Sequence, residues 1–125
     1  MSVVMDTNAL MMPVECDTRV FEEVERLLGP VEYLVPRAVV AELEKLADSG
    51  GEEGRAASVG LDLVARCRTV EHDADYADDG VLECSSADAV THAVTNDGPL
   101  RERLLDAGVP VVSLRGTNKL AITQP

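Results

Sequence analysis

Aromatic side chains are scarce in this chain of 125 residues: it has one phenylalanine, two tyrosines and no tryptophan. The core must therefore be aliphatic, and the sequence offers no row of rings on which the bases of a single strand could stack. No apolar run approaches the ~20 residues of a membrane span. No basic residue precedes the short apolar run at the N-terminus, which argues against a secretory signal. We expect a cytoplasmic protein without a membrane segment.

Cysteine is also rare, and the spacing of the three residues excludes the usual structural roles. Cys16, Cys67 and Cys84 are odd in number, lie far apart and form no CxxC pair. A disulfide framework or a zinc site is therefore not expected. We interpret all three as buried or unused thiols.

Positive charge is in short supply. Acidic residues outnumber basic ones by 23 to 11, the formal net charge is −12, and the only lysines are Lys45 and Lys119. A nucleic-acid-binding domain normally carries the opposite sign. Either the partner is not a nucleic acid, or the acidity serves solvation in concentrated salt, and the lack of lysine favours a halophilic source. The Debye length is roughly 3 Å at 1 M salt, so local arginines such as Arg101 could still contact phosphates.

What the sequence does have is a regular alternation of apolar strand-like and helix-like segments. The predicted strands are Ser2–Met5, Val31–Val35, Thr69–Val70, Ala89–Val94 and Val109–Leu114. The predicted helices are Thr18–Leu28, Pro36–Ala47, Glu52–Cys67, Asp78–Ser86 and Leu100–Ala107. This order predicts one α/β domain over residues 1–115, with a parallel sheet covered on both faces. Residues 116–125 are expected to form a C-terminal tail or a short edge element.

Acidic residues stand where two of the predicted strands end. Asp6-Thr7-Asn8 follows the first strand, and Thr95-Asn96-Asp97 follows the fourth. Ligands bind at the carboxyl edge of an open α/β sheet, and two such strand ends meet only if their strands are neighbours. The resulting carboxylate cluster favours a hard cation such as Mg²⁺ or Mn²⁺ over zinc.

Further acidic candidates lie in two of the predicted helices. Glu42 stands one turn into the helix after Pro36, and Asp78-Asp79 open a later helix. Each alone has an ordinary explanation, because aspartate stabilises helix N-termini without any function and a mid-helix glutamate is usually solvated. Their occurrence together with the strand-end motifs makes them candidates. The histidines are not needed: His72 is expected to be solvated and His92 to be a satisfied core residue.

The ordered set of motifs resembles the PIN-domain ribonucleases. The matching features are an apolar strand ending in Asp6-Thr7-Asn8, Glu42 within Val40-Ala41-Glu42-Leu43, Asp78 or Asp79 opening a helix, and Thr95-Asn96-Asp97 after the fourth strand. The likeness extends over about residues 3–115. It looks closest to the archaeal and eukaryotic branch that processes ribosomal RNA, and less like the short toxin nucleases.

The resemblance implies a three-layer sandwich around a five-stranded parallel sheet of order 3-2-1-4-5. It implies an endoribonuclease that uses one or two Mg²⁺ or Mn²⁺ ions. The implied catalytic residues are Asp6, Glu42, Asp78, Asp79 and Asp97. The implied metal ligands are Asp6, Glu42, Asp79 and Asp97, with Asp78 as the open alternative to Asp79. The residues implied to orient ligands or contact substrate are Thr7, Asn8, Thr95, Asn96 and Arg101.

Some alternatives stay open at this stage. Gly98-Pro99 stands where the family often has a charged residue, which leaves the local substrate contacts undefined. The chain could be a toxin ribonuclease with an antitoxin partner, or a non-catalytic PIN-like module that binds RNA or protein. An unrelated phospho-acceptor domain would want a lysine near the last strand, and Val109–Leu114 has none. RNA is the expected partner, with a protein partner or a homodimer open.

Overall fold

The computed structural model describes the whole chain, Met1 to Pro125, as six strands and six α-helices. The strands are β1 (Ser2–Met5), β2 (Glu32–Pro36), β3 (Arg68–Val70), β4 (Val90–Val94), β5 (Val111–Arg115) and β6 (Lys119–Thr123). The helices are α1 (Thr7–Glu15), α2 (Val20–Leu28), α3 (Arg37–Ala47), α4 (Gly51–Leu63), α5 (Ala77–Ser85) and α6 (Gly98–Asp106). None of these helices is both long and apolar enough to span a membrane.

One sheet organises the molecule, with the strand order β3-β2-β1-β4-β5-β6. The first five strands pair in parallel, which confirms the predicted order 3-2-1-4-5. Strand β1 is central, and its side chains Val3, Val4 and Met5 are fully buried. Because successive side chains of a strand point to opposite faces, helices must cover both faces of the sheet. The carboxyl ends of β1 and β4 lie side by side, with Met5 opposite Val94.

The C-terminal segment contains an edge strand rather than a loose tail, which agrees with the edge-element alternative for residues 116–125. After a turn at Gly116, where φ is 76°, strand β6 runs back antiparallel to β5. Leu120 is buried in the core, and its N–H donates to Oε1 of Glu23 in α2 at 2.9 Å. Arg26 donates to the carbonyl of Leu120 at 2.9 Å, and its hydrogen bond to Glu23 lowers the pKa of that carboxyl to about 2. The sequence of β6 is too short to show a strand pattern, and the strand is held by contacts with residues that are distant in the chain.

Helix α1 is an element that the sequence did not predict. It begins directly after Asp6, buries Ala9 to Met12, and carries Pro13 in its interior. Four consecutive apolar residues give no amphipathic period, and Pro13 argues locally against a helix. The helix is buried through close packing on α4, where a Cβ on Gly60 would lie 3.1 Å from the carbonyl oxygen of Leu10.

The loop between β3 and α5 fastens two helices together, and His72 is its centre. The prediction of a solvated His72 is wrong: its Nε2 accepts a hydrogen bond from the N–H of Ala38 in α3 at 3.0 Å. Its ring lies against Gly80 of α5, where a Cβ would come within 2.9 Å. Glu83 of α5 accepts from the N–H of Asp73 in the same loop at 2.8 Å. These contacts fix α3 relative to α5.

The remaining sulfur and imidazole groups take no part in the cleft described below. The three cysteines are free and half-buried, and burial raises the pKa of Cys67 to about 11. His92 is half-buried in β4, with Nδ1 2.8 Å from the hydroxyl of Thr91. Burial lowers the pKa of His92, which agrees with a packed, uncharged ring.

The contact between His72 and Gly80 leads to a test of the fold. We expect Gly80→Ala to lower the free energy of unfolding by about 1–3 kcal/mol, because the new methyl group overpacks against the ring. Gly98→Ala is the matched control, since no atom lies within 4 Å of its Cβ position. Urea unfolding of both variants measures the difference. Equal urea midpoints would show that the loop carrying His72 shifts without any loss of stability.

Candidate active site

A cleft of about 470 Å³ opens at the carboxyl edge of the sheet, above the ends of β1 and β4. We call it the acidic cleft, because its lining includes the carboxylates of Asp6, Glu15, Glu42, Glu53, Asp78 and Asp97. Four of these were predicted as site residues. Glu15 and Glu53 were missed, since only the packing of α1 on α4 brings them to the same place.

Asp6 is the most deeply buried carboxylate of the acidic cleft. It follows β1 directly and is only 5% exposed. Its Oδ2 accepts hydrogen bonds from the hydroxyl of Thr95 at 2.7 Å and from Nδ2 of Asn8 at 3.1 Å. Two donors from two different elements therefore hold one carboxylate in a single orientation.

The environment of Asp6 disfavours its charged form. Burial raises the pKa of Asp6 to about 6, and the nearby Glu42 and Asp97 add repulsion. The hydrogen bond from Thr95 works in the opposite direction but does not compensate. A cation placed among these groups would remove the penalty, because an opposite charge favours the ionised carboxylate.

Three of the polar residues predicted to orient ligands or contact substrate form a hydrogen-bonded network next to Asp6, which we call the bracket: Asn8, Thr95 and Asn96. Thr95 is fully buried, and its hydroxyl also accepts from the N–H of Asp97 at 3.0 Å. Asn8 accepts from the N–H of Asn96 at 2.8 Å, and Asn96 accepts from the N–H of Leu114 at 2.8 Å. The bracket joins the ends of β1, β4 and β5. Thr95 contacts the Asp6 carboxylate directly, whereas Asn96 contacts Asn8 and the backbone of Leu114.

Asp97 combines a place in the cleft with a structural contact. It is the N-cap of α6, where its Oδ1 accepts from the N–H of Leu100 at 2.9 Å. Thr7, the first residue of α1, also lines the cleft, and its buried hydroxyl has no hydrogen-bond partner. Arg101 is half-buried on α6 and lies outside the lining.

The structure separates the two adjacent aspartates of α5. Asp78 lines the acidic cleft, whereas Asp79 does not. Asp79 binds Arg103 with a distance of 2.8 Å between Oδ1 and Nη2, and Asp78 lies 3.5 Å from the same guanidinium. Asp78 is therefore the member of the pair that lines the cleft together with the other carboxylates.

The donor set of the cleft fits a hard cation. No three acidic, histidine or cysteine side chains are already arranged to hold an ion, so the flexible side chains of Glu42 and Asp78 would have to turn inward. The candidate ligands are all oxygens, which suit Mg²⁺ or Mn²⁺. Asp6 is pre-oriented, and its raised pKa reflects burial together with repulsion from Glu42 and Asp97.

The fold and the cleft define an α/β domain with an acidic site at the carboxyl edge of a mainly parallel sheet. Residues 3–117 match the family described as PIN like domain, and the chain belongs to this family. Ribonuclease VapC4 of Methanocaldococcus jannaschii is 29% identical over 117 residues, which cover 90% of this chain and 89% of that protein.

Two solved structures have the same architecture. The PIN domain endonuclease Utp24 superposes with a TM-score of 0.79 at 25% identity, covering 99% of this chain and 92% of that one. VapBC2 from Rickettsia felis, in a structure bound to a DNA fragment from its promoter, gives a TM-score of 0.66 at 12% identity. That match covers 92% of this chain and all of the other, and it shows the fold alone.

The raised pKa of Asp6 predicts a pH dependence of stability in metal-free buffer. The folded pKa of about 6 lies above the ordinary value of 3.8, so the folded state binds the proton more tightly and loses stability as the pH rises. Relative to Asp6→Asn, the free energy of unfolding should fall by about 2 kcal/mol between pH 4 and 7.5. Urea titrations of both proteins in EDTA at each pH measure this change in the free energy of unfolding. Parallel pH curves for the two proteins would contradict the assignment, and Asp88→Asn should keep the wild-type slope.

Proposed function

We propose that this protein is a metal-dependent endoribonuclease that hydrolyses phosphodiester bonds within RNA. The observation that carries the proposal is that Asp6, Glu42, Asp78 and Asp97 line one cleft at the carboxyl edge of the sheet. They come from four separate elements, so their convergence is a property of the fold. Similarity to a ribonuclease and to a PIN domain endonuclease supports the same reaction class.

The residues divide into ligands and groups that position them. Asp6 and Asp97 would bind one or two Mg²⁺ or Mn²⁺ ions directly, and Glu42 and Asp78 would bind directly or through water. When bound, the ions would activate water and neutralise charge that develops on the phosphate. Thr95 and Asn8 hold the Asp6 carboxylate.

Other residues would act on the substrate or on the geometry of α5. Thr7, with its free buried hydroxyl, is placed to orient a ligand. Asp79, although predicted as a ligand, would hold Arg103 near the cleft. Asn96 would fix the end of β4, and Arg101 would contact phosphates beyond the cleft.

The metal can be tested separately from catalysis. Mn²⁺ or Mg²⁺ should raise the melting temperature, because a ligand that binds only the folded state stabilises it by mass action. Asp6→Asn should lose most of this increase, since it removes a buried charge at the centre of the site. Asp88→Asn should retain it, because Asp88 is exposed in the turn before β4, at the far end from Asp97. An unchanged response in Asp6→Asn would place the ligands elsewhere.

The catalytic prediction uses Asp97. Asparagine keeps an oxygen that can cap α6, so Asp97→Asn should fold normally, yet RNA cleavage should fall by orders of magnitude. Asp88→Asn should cleave like the wild type. Time courses on labelled RNA with Mn²⁺, and with EDTA as the blank, measure both. Cleavage that persists in EDTA, or equal rates in the two variants, would refute a metal-dependent mechanism at this cleft.

The biological setting is a further part of the proposal. Maturation of ribosomal RNA is the setting that the motif resemblance implies. The similarity to ribonuclease VapC4 favours the alternative, a toxin ribonuclease held by an antitoxin protein. Growth arrest on expression, relieved in Asp97→Asn, would favour the toxin. A homodimer, cytoplasmic location and high-salt origin stay predictions from the sequence.

A further inference from the structure

Tyr76 is the only aromatic side chain on the surface of the protein. It is 71% exposed, whereas Phe21 and Tyr33 are buried and pack edge to face with ring centroids 4.6 Å apart. An isolated exposed apolar residue needs no explanation, so its position decides what it means. Tyr76 precedes α5 directly and lines the acidic cleft together with Asp78.

The ring also lines a second hollow beside the acidic cleft. This side cleft of about 260 Å³ lies between the start of α5 and the surface of α3. Its lining includes Ala38, Ala41 and Lys45 of α3, with Asp75 before the ring. Glu42, Tyr76 and Ala77 line both clefts. The two hollows are therefore adjacent, and Tyr76 borders both.

Lys45 gives the side cleft a positive group. It is exposed and makes no ion pair, although the chain carries a net charge of −12. The other lysine, Lys119, lies 3.8 Å from Glu23. Lys45 stands one turn beyond Glu42 on the same face of α3. An unpaired ammonium next to a carboxylate cluster is suited to an anion that reaches past that cluster, such as a neighbouring phosphate of a polynucleotide.

We propose that Tyr76 and Lys45 form a nucleotide subsite for single-stranded RNA, next to the phosphate that is cleaved. One base stacks on the ring of Tyr76, and its phosphate contacts Lys45. The small side chains of Ala38 and Ala41 leave room for the sugar. This inference rests on the proposed function and narrows its substrate. A paired base has both faces covered by its neighbours, so the ring selects an unpaired one.

Asp75 and Glu42 also face the side cleft and oppose a phosphate there. The stacking contact must therefore supply much of the affinity, with Lys45 offsetting the local negative charge. The sequence predicted that no row of aromatic rings would stack on the bases. The structure adds one exposed ring, Tyr76, beside the acidic cleft. One ring that borders two clefts is enough to hold one base, and it needs no second aromatic residue.

Binding can be measured with the intrinsic fluorescence of the protein. The chain has no tryptophan and two tyrosines, so quenching by a ten-residue oligoadenylate reports on Tyr76 once Tyr33→Phe removes the buried emitter. Ca²⁺ replaces Mg²⁺ to limit turnover. We expect strong quenching in Tyr33→Phe. Tyr76→Phe should keep the affinity without the signal, which also corrects for absorption by the bases.

Affinity, measured by fluorescence anisotropy of end-labelled strands because the Tyr76 variants lack the intrinsic reporter, then separates stacking from charge. Tyr76→Ala should weaken binding of the oligoadenylate about tenfold, but should leave binding of an abasic strand of equal length unchanged. Lys45→Gln should weaken both strands, and more at low salt. Equal affinity of wild type and Tyr76→Ala for the oligoadenylate, or equal losses on both strands, would overturn the subsite. Unchanged Mn²⁺ stabilisation in both variants shows that the acidic cleft is intact.

Cleavage assays distinguish this inference from the proposed function. If the wild type binds with base-dependent quenching but cuts no RNA in Mn²⁺, the nuclease proposal fails and the subsite stands. If it cuts single strands and Tyr76→Ala shows the same KM on the same strand, the nuclease proposal stands and the subsite is wrong. A raised KM with little change in kcat in Tyr76→Ala supports both.

Discussion

The parallel pairing of β1 with β4 is the constraint on which the site depends. It places Met5 opposite Val94, and the N–H of Asp6 donates to the carbonyl of Val94 at 3.1 Å. From that register Asp6 and Thr95 emerge side by side, although 89 positions separate them along the chain. A shift of one residue would turn every side chain of the strand to the other face of the sheet. The sheet register and the carboxylate geometry are therefore one property.

The same register explains how a buried charge is tolerated. Asp6 lies in an environment that raises its pKa to about 6, and the surrounding hydrogen bonds hold it without neutralising it. This is a local conflict between stability and charge, of the kind that proteins accept at functional sites. The fold supplies the rigidity, and a cation bound in the acidic cleft, as proposed, would supply the counter-charge.

How far the sequence alone predicts this protein depends on the range of the interactions concerned. The acidic strand ends were predictable, because Asp6 and Asp97 follow closely after apolar runs whose composition indicates burial, whereas the strand order followed from the family resemblance. The register of β1 on β4 then brings both to one cleft. Which member of the Asp78-Asp79 pair lines the cleft is set by the folded position of α5, where Arg103 of another helix pairs with both.

Other features were hidden because their partners are distant in the chain. Helix α1 has no amphipathic period, since it is buried on nearly every side. His72 lies in a polar loop, and only the folded chain brings the amide of Ala38 and the Cα of Gly80 into contact with its ring. The exposure of Tyr76 and the freedom of Lys45 are properties of a surface, which no residue pattern records.

The antiparallel return of β6 has a consequence for how copies of this chain behave towards one another. A β5 without β6 would present a row of unpaired N–H and C=O groups, and such an edge recruits strands from other molecules. Arg26 and Glu23 hold the final hairpin in place through Leu120. This latch of α2 on β6 therefore keeps β5 paired within its own chain, where a loose β6 would leave the edge of β5 open to a strand of another copy.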